Sequence, residues 1–296
     1  MKTKLLLFIF LLIGISAKSQ EIAKGYVFED SNNNGRKDRR ETGVSNVAVS
    51  NGVDVVITDE NGFYSLPVYD DNTIFVIKPS GYKTAVDEDF IPQFYYHHKP
   101  YGSPEDFTYM GVAPTGKLPS SIDFPLYKYN ESEVFNVVVF GDPQPYSIRD
   151  LDYFTEKVVN DVKKKEETVF GISLGDIVGD KLDLQPLYKE RMRRLELPWY
   201  NVMGNHDMNF DATTDELSDE TFEKNFGSAN YSFNYGNAHF IILDNILYPD
   251  PRDGKGYWAG YRLDQLLFLE NNLKYVPKDK LVVVAQHIQM KDNSGN

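Results

Sequence analysis

The chain has no cysteine among its 296 residues. That excludes disulfides, thiolate metal ligands and thiol nucleophiles, and leaves core burial or bound ions to hold the fold. Basic residues are also scarce: 31 Lys and Arg stand against 44 Asp and Glu, for a net charge of −13. A surface of that sign repels nucleic acid and anionic membranes over long range, so neither is expected as a partner. An anionic substrate would need bound cations to supply local positive charge. Histidine occurs five times, at His97, His98, His206, His239 and His287. After the first residues no apolar run is long enough to cross a bilayer, and no transmembrane anchor is expected.

The opening residues are the exception to this polarity. Lys2 and Lys4, an apolar stretch over 5–15, and then Ser16, Ala17 and Ser19 follow the order of a secretory signal peptide. Residues 1–19 are therefore expected to be removed by cleavage near Ala17 or Ser19, giving a periplasmic or secreted protein. Losing Lys2, Lys4 and Lys18 without losing an acid takes the net charge from −13 to about −16. The roughly 275 residues left suffice for about two domains.

Residues 20–81 read as short alternating strands broken by turn dipeptides, Asn51-Gly52 and Asn61-Gly62 among them, with no helical periodicity. This predicts a small all-β sandwich. Residues 82–130 carry aromatic and Pro/Gly-rich strings and are expected to be an ordered interdomain connection. His97 and His98 lie in it; neighbours on an extended strand point to opposite faces, so the pair is not expected to bind one ion. Over 131–296 the pattern changes. Apolar runs at 134–140, 169–174, 199–203 and 281–285 alternate with helical spacing at 148–162, 186–195 and 263–273. The alternation predicts an α/β layered domain whose functional residues sit at strand carboxyl ends.

Three short motifs follow three of those runs: Gly-Asp-Pro-Gln at 141–144, Gly-Asp-Ile-Val-Gly-Asp at 175–180 and Gly-Asn-His-Asp at 204–207. Each is common alone, but their order, each behind its own strand, is specific. They resemble the calcineurin-like metallophosphoesterase superfamily. The resemblance implies that Asp142 and Gln144 bind one divalent ion, that Asp176 bridges two, and that Asn205 and His287 bind the second. Ions so held are ~3.5–4 Å apart and of the Mn, Fe or Zn class. It further implies phosphate-ester hydrolysis by a metal-bound hydroxide, with His206 assisting the leaving group and Asp180 or Asp207 orienting it from behind. Gln144 stands where many relatives have His, so the first site is expected to be weaker. The second motif has no Tyr, which argues against a purple iron enzyme. The superfamily's closing Gly-His-x-His is missing, and the chain stops nine residues after His287. The expectation is a C-terminally incomplete domain that binds metal poorly.

A second site is suggested by Asp30, Asn32, Asn34, Arg36, Asp38 and Glu41, spaced as in a twelve-residue calcium loop with Gly35 at the turn. Its flanks read as strands, and with the Thr-Asp-Glu-Asn-Gly-Phe-Tyr-Ser-Leu run at 58–66 it resembles adhesin B-type and prealbumin-like modules, which implies a structural calcium ion of modest affinity. The acidic stretch 211–223 and the stretch 248–261 are expected to flank a substrate cleft. The leading function is an exported metal-dependent phosphoesterase; the alternative is a calcium-stabilised surface or carbohydrate-binding protein with a vestigial phosphoesterase half.

Overall fold

Alternation of buried and exposed side chains makes β1 (Glu21–Glu29) a half-buried strand, with Ala23, Gly25 and Val27 on the covered side. The computed structural model describes residues 20–164 and 167–290; the expected leader at 1–19 lies outside the described residues. The N-terminal region continues with β2 (Ala48–Ser50), β3 (Val55–Ile57), β4 (Phe63–Val68), β5 (Asn72–Val76), β6 (Tyr82–Lys83), β7 (Ala85–Val86), β8 (Pro92–Gln93), β9 (Tyr95–His98) and β10 (Phe124–Lys128). Two four-stranded sheets result, in the orders β4-β1-β10-β6 and β3-β2-β5-β9. Both supply one apolar core, with Val27, Leu66 and Leu126 from the first and Val49, Ile74 and Val76 from the second.

The segment 82–130 differs from its expected role. It supplies β6 to β10, so both sheets are completed by residues read as a connection. β10 lies parallel to β1, with Val27 opposite Phe124, and β9 pairs with β5, with Thr73 opposite His97. These pairings are distant in sequence and the strands are short, so no local period announces them.

The second half holds β11 (Asn136–Phe140), α1 (Ile148–Phe154), β12 (Thr168–Leu174), α2 (Gln185–Met192), β13 (Trp199–Val202), α3 (Glu220–Phe226), β14 (Tyr231–Tyr235), β15 (Ala238–Ile242), β16 (Ile246–Leu247), β17 (Trp258–Ala259), α4 (Leu263–Leu273) and β18 (Leu281–Ala285). This is the α/β layered fold expected from the alternation. β11, β12 and β13 form a parallel sheet, and β14-β15-β18 a mixed one. Aromatic side chains join the two: Phe170 lies edge-on to Phe233 and Phe240 at 5.4 and 5.2 Å, and Tyr200 stacks on Phe233 at 3.8 Å. On its other face the parallel sheet meets α1 and α2, where Trp199 donates to Ser173 Oγ at 2.8 Å and Ser173 bonds Tyr188 at 2.6 Å. Among the described residues no helix is long and apolar enough to cross a membrane.

The two halves share a continuous core, since Phe75 meets Phe268 and Phe94 meets Tyr231 across it. The acidic stretch 211–223 turns toward this boundary. Glu220 and Glu223 of α3 are buried, and Lys99 Nζ reaches them at 2.8 and 2.9 Å and Asp71 at 2.8 Å. Burial alone would lower the Lys99 pKa, but the surrounding carboxylates, Glu223 first, hold it above the ordinary lysine value. Replacing Lys99 with Met leaves buried carboxylates without their cation. We expect Lys99→Met to lose about 3–5 kcal/mol of stability in urea unfolding, and a loss well under 1 kcal/mol would show the network to be solvated.

Candidate metal centre

Register brings the three motifs together. Phe140 lies opposite Ser173 and Leu174 opposite Val202, so the residues following β11, β12 and β13 emerge at one edge of the parallel sheet. In the other sheet Ile242 lies opposite Ala285, so Asp244 and His287 follow matched strand ends. His287 Nδ1 donates to Leu174 O at 2.8 Å and ties the two sheets at this edge.

The loops carrying the motif side chains are conformationally strained. Asp142 (φ 55°), Gln144 (φ 43°), Asp176 (φ 48°) and Asp180 (φ 63°) all adopt left-handed backbone. Each such residue costs of order 1 kcal/mol or more and persists only where its surroundings over-determine it. Here the loops hold one another: Gln144 N donates to Asp176 O at 2.8 Å, and Asp180 N to His206 O at 3.2 Å. Two glycines permit the close packing. A Cβ on Gly204 would lie 2.2 Å from Asp176 Oδ1, and one on Gly175, at φ 87°, would lie 2.5 Å from His287 Nδ1.

Asp207 braces this arrangement from beneath. It is fully buried; its Oδ2 accepts Ile177 N at 3.0 Å and Gly204 N at 2.9 Å, and its Oδ1 accepts Val178 N at 3.1 Å. Burial raises its pKa to about 7 despite the three N–H donors, which act in the opposite direction. One carboxylate thus joins the second motif loop to the third. It was expected as a possible orienter of His206; the three backbone donors occupy it instead. Asp180 makes that contact, with Oδ1 2.6 Å from His206 Nδ1.

Asp176 is the centre of the cluster. It is buried, its Oδ1 accepts His206 N at 3.0 Å and stands 3.3 Å from His287 Nε2, and its Oδ2 is 3.9 Å from His206 Nε2. Because a carbonyl only accepts, His287 carries a proton on Nδ1, and its Nε2 is directed at Asp176. Burial lowers the His287 pKa, but hydrogen bonds to Asp176 and Leu174 outweigh it and raise the value to about 9. Gln144 Nε2 donates to Tyr146 Oη at 3.1 Å, which frees its Oε1. Asn205 is buried at the start of the turn carrying His206, and Asp142 is exposed at the rim.

This donor set fits hard or borderline divalent cations: carboxylate and amide oxygens with one imidazole, and acids in excess. Asp142, Asp176 and His287 do not place three ligand atoms within 4.8 Å of one another.

Three residues were missed in the sequence. Tyr146 stacks edge-on to His206 at 6.0 Å, and a Cβ on Gly179 would strike its ring. Its pKa is raised by desolvation and by Asp180, Asp176 and Asp142, which places all three acids around it. Asn245 Oδ1 accepts Ile288 N at 3.0 Å while its Nδ2 donates to Ile288 O at 2.6 Å, pinning the loop that carries His287. Asp244 beside it is buried, with its pKa raised by burial to about 7. The signal was available: Asp244-Asn245 closes an apolar strand just as the three motifs do.

The calcium-like loop closes on itself. Asp30 accepts Asn34 N at 3.2 Å, Gly35 N at 2.7 Å and Tyr127 Oη at 3.1 Å; Glu41 accepts Ser31 N at 3.0 Å and Asp38 N at 2.9 Å. Asn32 and Asn34 donate their amides to Asp38, and Arg36 N donates to Asn34 Oδ1. Burial pushes the Asp30 pKa up, but these donors together hold it below the ordinary value.

Two facing sheets with acids, amides and imidazole at one strand edge define a metal-dependent hydrolase. A family model described as calcineurin-like phosphoesterase matches residues 135–295, and one described as the N terminal of calcineurin-like phosphoesterase matches residues 31–112. The chain belongs to the calcineurin-like phosphoesterase family. Its members typically bind two divalent metal ions and act on phosphate esters. No curated protein matches the chain.

Asp207→Asn puts an amide N–H₂ against at least one backbone N–H. We expect this variant to lose about 1–3 kcal/mol of stability and to take up less metal, read by thermal melting and elemental analysis. Unchanged melting and metal content would refute the bracing role.

Proposed function

We propose that the protein is an exported, periplasmic or secreted, phosphoesterase in which Asp142 and Gln144 hold one divalent ion, Asn205 and His287 hold another, and Asp176 bridges them. Divalent ions held by these residues would supply positive charge for the phosphoryl oxygens and a more acidic water as nucleophile. His206 is the proton donor to the departing ester oxygen. The observation that carries this reading is the Asp180–His206 pair: Asp180 takes Nδ1 at 2.6 Å, so Nε2 is the free nitrogen, 3.9 Å from Asp176 Oδ2 and open to solvent on one side. Tyr146 packs against the ring and limits its rotation. Asn205 begins the short turn that leaves His206 half-buried and Asp207 buried in the protein interior.

A proton donor matters most when the leaving group is basic. We expect His206→Ala, assayed with added Mn, to reduce kcat by about 10²–10⁴-fold on alkyl phosphate monoesters or diesters, and much less on nitrophenyl esters. Equal losses on both would assign His206 to binding rather than proton transfer. A wild-type protein that is silent and metal-free would instead favour the calcium-stabilised binding protein.

For the loop at 30–41 we read a structural calcium site of modest affinity, supported by its oxygen-rich spacing and the sharp turn at Gly35, φ 71°. Calcium at 1 mM should raise the melting temperature of the wild type and not that of Asp30→Asn, as expected for a ligand that binds only the folded state.

A further inference from the structure

His98 ends β9 fully buried, and among the described residues neither ring nitrogen has a hydrogen-bond partner. Buried polar groups in native structures are almost always satisfied, so an imidazole orphaned at both nitrogens needs an explanation. Its Nε2 is 3.9 Å from Glu21 Oε1, too long for a hydrogen bond. Ligand atoms of Glu21, Asp70 and His98 all lie within 4.8 Å of one another. Two ligands of one tetrahedral ion, each ~2.0–2.2 Å from it, stand roughly 3.3–3.6 Å apart, so small side-chain shifts close this group around a cation.

The three residues come from different parts of the N-terminal fold. Glu21 opens β1 of the first sheet, Asp70 lies in the turn carrying the chain from β4 to β5 of the second sheet, and His98 ends β9 at that sheet's edge. The neighbouring His97 is differently placed: its Nδ1 is 2.7 Å from Thr73 Oγ1 and its Nε2 3.1 Å from Glu223 O, so its hydrogen-bonding capacity is filled. Lys99 Nζ is engaged by Asp71, Glu220 and Glu223. Two carboxylates beside an imidazole make a donor set of the kind that takes a divalent cation. The half-exposed side chain of Glu21 provides a route for its entry.

We propose that Glu21, Asp70 and His98 form a structural zinc-class site, separate from the phosphoesterase centre, that fastens the two N-terminal sheets together. One imidazole nitrogen and two carboxylates suit zinc, with water at the fourth position; calcium seeks six to eight oxygens and would not select this set.

The test equilibrates the full chain with zinc, removes loosely held metal by gel filtration, and measures zinc per chain by elemental analysis beside thermal melting. Glu21→Gln and Asp70→Asn keep side-chain size at positions with solvent access and should leave the apoprotein folded. Each is expected to lose one equivalent of zinc and the zinc-dependent rise in melting temperature seen in wild type, and His98→Ala to do the same. Asp176→Asn should lose metal from the other centre while keeping this equivalent, and a cobalt-loaded Asp176→Asn protein should show X-ray absorption from mixed nitrogen and oxygen ligands. Zinc content unchanged in both Glu21→Gln and Asp70→Asn, or no retained equivalent in Asp176→Asn, would overturn the proposal.

Discussion

The carboxylate of Asp207 is the constraint on which the phosphoesterase half depends. It accepts backbone N–H groups from Ile177, Val178 and Gly204, so the loops after β12 and β13 cannot move independently. A buried carboxylate is costly unless its oxygens are satisfied, and backbone donors satisfy them without side-chain entropy. The ends of two strands therefore become one rigid ledge. Asp176 and Asn205 stand on that ledge, and His206 is turned outward from it.

Above the ledge the chain tolerates what it avoids elsewhere. Four side chains of the motifs sit on left-handed backbone, and several acids crowd one edge of the sheet. Both features oppose folding, strain through the backbone and crowding through like-charge repulsion. Cations bound among the acids would relieve the second and make the first useful, because a side chain held in an unusual direction needs no reorganisation when substrate arrives.

The N-terminal sheets are more than an appendage. Their core runs into that of the phosphoesterase half through Phe75, Phe94, Tyr231 and Phe268. Lys99 places its charge among acids of α3, so breaking the boundary would expose apolar rings and separate buried ions together. Such coupling makes the position of α3, and with it Asn209, which bonds Thr221 of that helix, partly a property of the N-terminal region. The matches of two phosphoesterase family models to the two halves agree with this shared construction.

The sequence by itself determined the α/β alternation, the strands at 136–140, 168–174, 199–202 and 281–285, and the motif residues that close them, because periodicity and local turn chemistry are written in neighbouring positions. It determined that Asp180 and Asp207 both belong near His206, but not which one touches it. It could not show that 82–130 completes both N-terminal sheets, that Glu220 and Glu223 of α3 meet Lys99, or that Asn245 pins the loop of His287. Nor could it distinguish His97, satisfied by Thr73 and Glu223, from His98, which has no hydrogen-bond partner among the described residues. Those outcomes depend on strand register and on contacts between residues tens to hundreds of positions apart. Only the closed tertiary structure decides which donor meets which acceptor and which polar atom is stranded away from water.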